Sequence, residues 1–207
     1  MNAAPIVISY RRDDAPGHAG RLYDGLAARF GGEQVFMDID AIEPGIDFAQ
    51  QISAVIGRCQ VLLVIIGPRW LQMADRYGNR RLDAPGDYVR MEIETALSHG
   101  VLVIPVLVHG AAMPSTDDLP PSVNQLAFRN AVELSDIRWH LDVGRLIRFL
   151  ENRQREAAAS DRGRRDRSAY RPAGGGTAYR GRTTRPRARS LVRSPLGKGI
   201  LVSMPLS

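Results

Sequence analysis

Hydrophobic positions along this chain alternate between short apolar runs and longer stretches of helical period. Ile6-Val7-Ile8-Ser9-Tyr10 is a brief apolar run ending in polar residues, and Ala19 to Phe30 follows with Leu22, Leu26, Ala27 and Phe30 on one helical face. Gln34 to Asp38 predicts a second strand and Phe48 to Ile56 a second helix, joined by the turn-prone acidic segment Ile39 to Gly45. Gln60 to Gly67, almost wholly Val, Leu and Ile, predicts a strand buried on both faces, and Val101 to Val108 predicts another. Pro68 to Gly86 reads as loop, residues 109–125 as a long proline-containing connection, Asn130 to Leu134 as a short edge strand and Val143 to Leu150 as a closing helix. Repeated strand, crossover helix, strand units predict an α/β fold, a parallel sheet wound on both faces. Ligands bind such sheets at the carboxyl ends of the strands.

The stretch Asp87 to Leu97 carries the sharpest signal. Val89, Ile93, Ala96 and Leu97 recur at i, i+4, i+7 and i+8, a single buried helical stripe, and Gly100 stands at the C′ position that ends it. Glu92 falls at the rim of that stripe, one turn after Tyr88 on the same side, whereas Glu94 is predicted to point into water. A half-buried carboxylate beside an aromatic ring is either a satisfied structural contact or the wall of a site.

Composition separates two regions. With 207 residues, 44% hydrophobic and 24% charged, the chain can hold one globular α/β domain and something more. Residues 1–151 carry a net charge of −5 and residues 152–207 a net charge of +11, so the basic character of the whole belongs to the C-terminal tail. That tail, rich in Arg, Gly, Ser and Pro, lacks the periodic apolar residues of a core and is predicted to be disordered. Its Arg clusters suit weak contact with nucleic acid or an acidic surface.

Other classes are excluded. Cys59 is the only cysteine, no Cys/His group has zinc-like spacing, and a reducing compartment and no metal are expected. There is no signal-peptide pattern and no apolar run of the roughly 18 residues a membrane span needs, so a cytoplasmic location is expected. GxGxxG, GxxxxGK[ST] and GxSxG motifs are absent, and His18, His99, His109 and His140 pair with no Ser or Cys nucleophile in any recognisable spacing.

The candidate chemistry gathers at the strand ends: Ser9, Tyr10, Arg11 and Arg12 after the first strand, Asp38, Asp40 and Glu43 after the second, Trp70 after the third, and Glu92 on the helix before the fourth. Each alone is explained by a solvated face, a capped turn or partial core; together they line one edge of the sheet. Ile8-Ser9-Tyr10-Arg11-Arg12, Val35-Phe36-Met37-Asp38 with Glu43-Pro44-Gly45, Leu62 to Gly67, Asp87 to Ile93 and Val103-Ile104-Pro105-Val106 resemble, in order and spacing over residues 5–151, the successive boxes of a TIR (Toll/interleukin-1 receptor) domain. The likeness is to the enzymatic, NAD-cleaving members, bacterial defence proteins among them, rather than to the receptors.

The resemblance implies a flavodoxin-like five-stranded parallel sheet over residues 1–151 and cleavage of the nicotinamide–ribose bond of NAD+, taken as substrate with no separate cofactor. The products would be nicotinamide with ADP-ribose, a cyclic isomer or a base-exchanged nucleotide. The family's catalytic glutamate maps onto Glu92 and its aromatic neighbour onto Tyr88. The nucleotide-lining residues after the first strand map onto Tyr10 and Arg11, with Ser9 beside them. The BB loop, through which subunits associate into homo-oligomers or meet other TIR domains, maps onto Asp38 to Phe48, including Asp40, Glu43 and Gly45. Arg11 suits either a pyrophosphate or a carboxylate partner, a salt bridge to the Asp38 region being the plain alternative. A TIR domain that only binds other TIR domains in signal transduction, and catalyses nothing, is the competing reading.

Overall fold

The structure, a computed structural model, describes the backbone of residues 5–37 and 48–169 and the side chains of residues 5–37 and 52–160. Five strands form one sheet: β1 (Ile6–Ser9), β2 (Val35–Met37), β3 (Val61–Ile66), β4 (Leu102–Val108) and β5 (Val132–Leu134). Their order is β2-β1-β3-β4-β5 with every pair parallel, Ile6 lying opposite Val35 on one side and Val61 on the other. Four helices, α1 (Pro16–Phe30), α2 (Phe48–Ile56), α3 (Tyr88–Ser98) and α4 (Trp139–Ala169), complete the doubly wound α/β arrangement expected of the sequence.

Strand alternation divides the core in two. Ile6 and Ile8 of β1 and Val61, Leu63 and Ile65 of β3 pack with α1 and α4, whereas Val7, Leu62, Val64 and Ile66 pack with α2 and α3. Both faces of β1 and β3 are therefore covered, which is why these strands read as continuous apolar runs. Pro105 sits within β4, where a missing N–H would harm a central strand. β5 pairs with β4 only from Val106 onward, so β4 is an edge at the proline.

Element ends differ from the sequence expectation in explicable ways. α1 begins at Pro16, before its first periodic apolar residue, because proline is preorganised for the first helical turn. α4 runs to Ala169, past Leu150 and past the expected boundary at residue 151; its later turns have no apolar stripe by which periodicity could detect them. The rest of the basic tail lies outside the described residues. Contacts divide the chain into residues 1–167 and residues 168–207, and of the second unit only the end of α4 is described. No helix among the described residues is long and apolar enough to cross a membrane.

The segment from Pro68 to Gly86, read as loop, is internally organised. Asp75 accepts hydrogen bonds from the backbone N–H of Tyr77 (2.8 Å) and Asn79 (2.9 Å), residues 81–83 form a 3₁₀ turn, and Leu82 is fully buried in the α2/α3 core. At its start, Asp14 clips the loop after β1 to the loop after β3: Oδ2 accepts from Gly67 N (2.9 Å) and Oδ1 from Arg69 N (2.9 Å). A Cβ on Gly67 would stand 2.5 Å from Asp14 Oδ2, so only glycine permits this approach without displacing the carboxylate.

Two expectations follow. Gly67→Ala should forfeit the Asp14 clip and lower stability by about 1–3 kcal/mol, and combining it with Asp14→Ala should cost less than the sum of the two. Urea denaturation of the four proteins checks this, and strict additivity would refute it. Burial pushes the Cys59 thiol up from an ordinary value of 9.0 to about 11. The unfolded chain therefore ionises first, and folding stability contributed by this thiol is intact below about pH 9 and lost as pH rises toward about 11. Denaturation midpoints from pH 8 to 11 should fall more steeply for wild type than for Cys59→Ala; parallel curves would sink the assignment.

Candidate functional site

Period-2 alternation continues beyond the end of β1 and sorts its polar residues. Ser9 and Arg11 follow Val7 toward the α2/α3 face, while Tyr10 follows Ile8 and packs, half-buried, against the α1/α4 core. Arg11 is only 2% exposed. Its guanidinium forms a bidentate pair with Asp87, Nη1 to Oδ2 at 2.9 Å and Nη2 to Oδ1 at 3.0 Å, and stands 5.6 Å from the centroid of the Trp70 ring. Arg11 thus has a carboxylate partner, and it is Asp87, 76 residues away; the Asp38 region lies outside the described residues.

Asp87 does more than neutralise Arg11. It is the N-cap of α3, its Oδ1 accepting from Arg90 N at 3.0 Å, and Arg81 Nε approaches its Oδ2 at 3.5 Å. One buried carboxylate thus joins the end of β1, the 3₁₀ turn and the start of α3. The far end of α3 is closed by a Schellman motif, Gly100 N to Leu97 O (3.2 Å) and Val101 N to Ala96 O (2.9 Å), with Gly100 at φ 68° as its position predicts.

With both ends set, the helix presents Tyr88 44% exposed and Glu92, one turn later, 7% exposed. Glu92 is therefore buried more deeply than a rim position implies. Glu94 does not point freely into water as expected. It is half-buried and paired with Arg90 at 2.6 Å. Burial acts to raise its carboxyl, but the Ser122 hydroxyl and the Arg90 guanidinium more than offset that and hold it below the ordinary carboxylate range. Arg90 is itself anchored to Asp83 O at 2.8 Å.

The remaining expected residues divide by burial. Trp70 is fully buried in the α2/α3 core, so it forms the floor beneath Arg11 rather than a surface open to a ligand. Ser9 is buried at the end of β1. Ser9 Oγ, Arg11 Nε and Trp70 Nε1 have no hydrogen-bond partner among the described residues, a cost of about 1–3 kcal/mol each that falls on the same strand ends. Asp38, Asp40, Glu43 and Gly45 lie outside the described residues, as does the side chain of Phe48. Asp87 and Arg81 escaped the sequence reading. Asp87 was visible as a helix start, but nothing in local spacing links it to Arg11.

Two further features stand apart from these residues. A groove of about 750 Å³ between β4, β5 and α4, lined by Ile104, Val132, Asp142, Leu146 and Phe149, contains none of the strand-end residues above. On the α1/α4 side, His18, His109 and Asp136 converge, although sequence spacing gave no hint of any such group.

Comparison with solved structures agrees with the geometry. The chain resembles the TIR domains in the structure of the activated Roq1 resistosome directly recognizing the pathogen effector XopQ, at 12% identity over 72% of this chain and 99% of that one, with a TM-score of 0.53. At that identity the likeness is one of fold. Weaker matches include a metazoan TIR-STING receptor from C. gigas in complex with 2',3'-cGAMP (19% identity, 67% of this chain and 38% of that one, TM-score 0.42). Another is Clostridium botulinum CMP N-glycosidase (12%, 70% and 98%, TM-score 0.38). The family described as TIR domain matches residues 6–147, and the chain belongs to that family.

Proposed function

We propose that this chain is an NAD+ hydrolase in which Glu92 is the catalytic carboxylate. The observation that supports it is Glu92 itself: an acid 7% exposed, one turn after an exposed aromatic, on a helix fixed at both ends beside the carboxyl edge of a parallel sheet. Placing a carboxylate there is costly unless it is matched to a partner or a task. Nicotinamide leaves NAD+ as a cation, so breaking the C1′–N bond returns the electron pair to the ring nitrogen and needs no general acid. The barrier lies in the positive charge that develops on the ribose, as in other glycosyl transfers. A carboxylate in a site of low effective dielectric stabilises that charge far more than it would in water. Water then adds to C1′ and releases a proton, giving ADP-ribose; attack by a ring nitrogen on the same cation gives a cyclic or base-exchanged product.

Within this reading Tyr88 offers a ring for the nicotinamide or the base, while Ser9 and Tyr10 stand at the carboxyl end of β1, Ser9 buried and Tyr10 against the α1/α4 core. Arg11, Trp70 and Asp87 act as positioning residues, holding α3 in register with β1. The segment Asp38 to Phe48, with Asp40, Glu43 and Gly45, completes the site or reaches a neighbouring subunit, so that activity depends on self-association in a defence or signalling role. NAD+ as substrate and a single buried thiol both suit a cytoplasmic setting.

Incubating the full chain with NAD+ at high protein concentration should release nicotinamide, and Glu92→Ala should reduce kcat by about 10²- to 10³-fold with an unchanged circular dichroism spectrum. Equal rates in wild type and variant, or no release by wild type, would leave the interaction module as the reading. Asp87→Asn keeps a competent N-cap but removes the charge that faces Arg11. It should lower stability by about 3–5 kcal/mol in chemical denaturation. A loss below about 1 kcal/mol would show that the pair is not what holds α3 to β1.

A further inference from the structure

Three potential ligands meet at the carboxyl edge of the sheet on the α1/α4 side, away from Glu92. His18 lies in the first turn of α1, His109 directly follows β4, and Asp136 follows β5. His18 Nε2 is 3.0 Å from Asp136 Oδ1 and His109 Nδ1 is 3.6 Å from Asp136 Oδ2, and one ligand atom from each residue lies within 4.8 Å of the others. We propose that His18, His109 and Asp136 form a binding site for a borderline divalent transition ion of the Zn2+ type.

The distances suit such an ion. A tetrahedral centre with bonds of about 2.0–2.2 Å to imidazole nitrogen and carboxylate oxygen places its ligand atoms roughly 3.3 Å apart; the two imidazole nitrogens lie 3.0 and 3.6 Å from the two Asp136 oxygens, and one atom from each residue falls within 4.8 Å of the others, so a small side-chain adjustment closes the set onto an ion. Two imidazoles and one carboxylate favour zinc and its first-row neighbours over Mg2+ or Ca2+, which require oxygen donors. Three protein ligands leave a fourth position for water.

The scaffold is built to hold these groups. His18 is 7% exposed, its ring 4.1 Å from that of His109 at 66° and 5.5 Å from that of Trp139, so neither rotation nor withdrawal is cheap. His109 is the one non-glycine among the described residues with positive φ, 54°. Such a conformation persists where surroundings impose it, and here it turns the imidazole back toward Asp136. Arg21 presently shares Asp136, its Nη1 3.1 Å from Oδ1, while its guanidinium lies 4.1 Å over the Trp139 ring. That side chain is half-exposed, so its guanidinium can leave Asp136 for solvent and free the carboxylate of its charge for the ion. Ion binding would then fasten the start of α1 to the ends of β4 and β5, three segments distant in sequence.

Isothermal titration of the tag-free full chain with Zn2+ at pH 7.5, where imidazole is free to ligate, tests the site, with Co2+ absorption as a second readout of coordination. The expected result is saturable 1:1 binding that His109→Asn weakens by at least about a hundredfold, beyond the ten- to hundredfold cost of losing an outer-shell partner. Asn is at home at positive φ and His109 is half-exposed, so this variant keeps the fold. The paired change His99→Ala with His140→Ala should leave affinity unchanged. Absence of saturable binding by wild type, retention of wild-type affinity by His109→Asn, or loss of binding in the His99/His140 variant would each overturn the proposal.

Discussion

The buried ion pair between Arg11 and Asp87 is the interaction on which the geometry of this edge depends. Moving a guanidinium and a carboxylate out of water costs several kcal/mol per ion, and only close, multiply hydrogen-bonded geometry offsets it. Asp87 supplies that geometry, taking both Arg11 forks, the Arg90 backbone N–H and the approach of Arg81. Because the same carboxylate is the N-cap of α3, the helix cannot start one residue earlier or later without breaking the pair. Helical phase is thereby inherited from β1. Tyr88 and Glu92 occupy their positions because a strand end 76 residues upstream holds the cap.

A parallel sheet creates two unlike surfaces at one edge, since successive residues past a strand end go to opposite faces. Here the division is chemical as well as geometric. Ser9, Arg11, Trp70 and Glu92 belong to the α2/α3 side, a region of buried charge and orphaned polar atoms. His18, His109 and Asp136 belong to the α1/α4 side, a region of stacked rings. Asp14, between Arg11 and His18 in sequence, clips the loops after β1 and β3 together.

What the sequence makes legible here is whatever repeats within a turn or two. The strand runs of β1, β3 and β4, the apolar stripe of α3 and the left-handed Gly100 are all local patterns, and each appears in the structure at its expected place. Glu92 was accessible for the same reason, as an acid out of phase with its stripe. Arg11 was visible as a charged residue, but its partner was not, because two residues far apart in the chain carry no mark of their contact. The same limit hid the His18, His109 and Asp136 convergence, whose members look unrelated in a linear reading. The later turns of α4 were missed from the opposite cause: a helix without an apolar face has no period to detect.

The choice between Glu92 and Glu94 shows how partners refine a phase argument. Phase alone rejects Glu94 by sending it to water, yet Glu94 is half-buried, so that ground is weaker than it first looks. What separates the two is where each carboxylate sits. Glu94 is held by Arg90 and Ser122, and Arg90 is tied in turn to Asp83 O, so its carboxylate is neutralised and its basicity lowered within a surface network. A group in that state stabilises an additional cation poorly, because the field of Arg90 opposes it at nearly the same distance. Glu92 faces the other way, toward the interior below Tyr88, where the lower dielectric makes a carboxylate more costly to keep and correspondingly more effective against a developing positive charge.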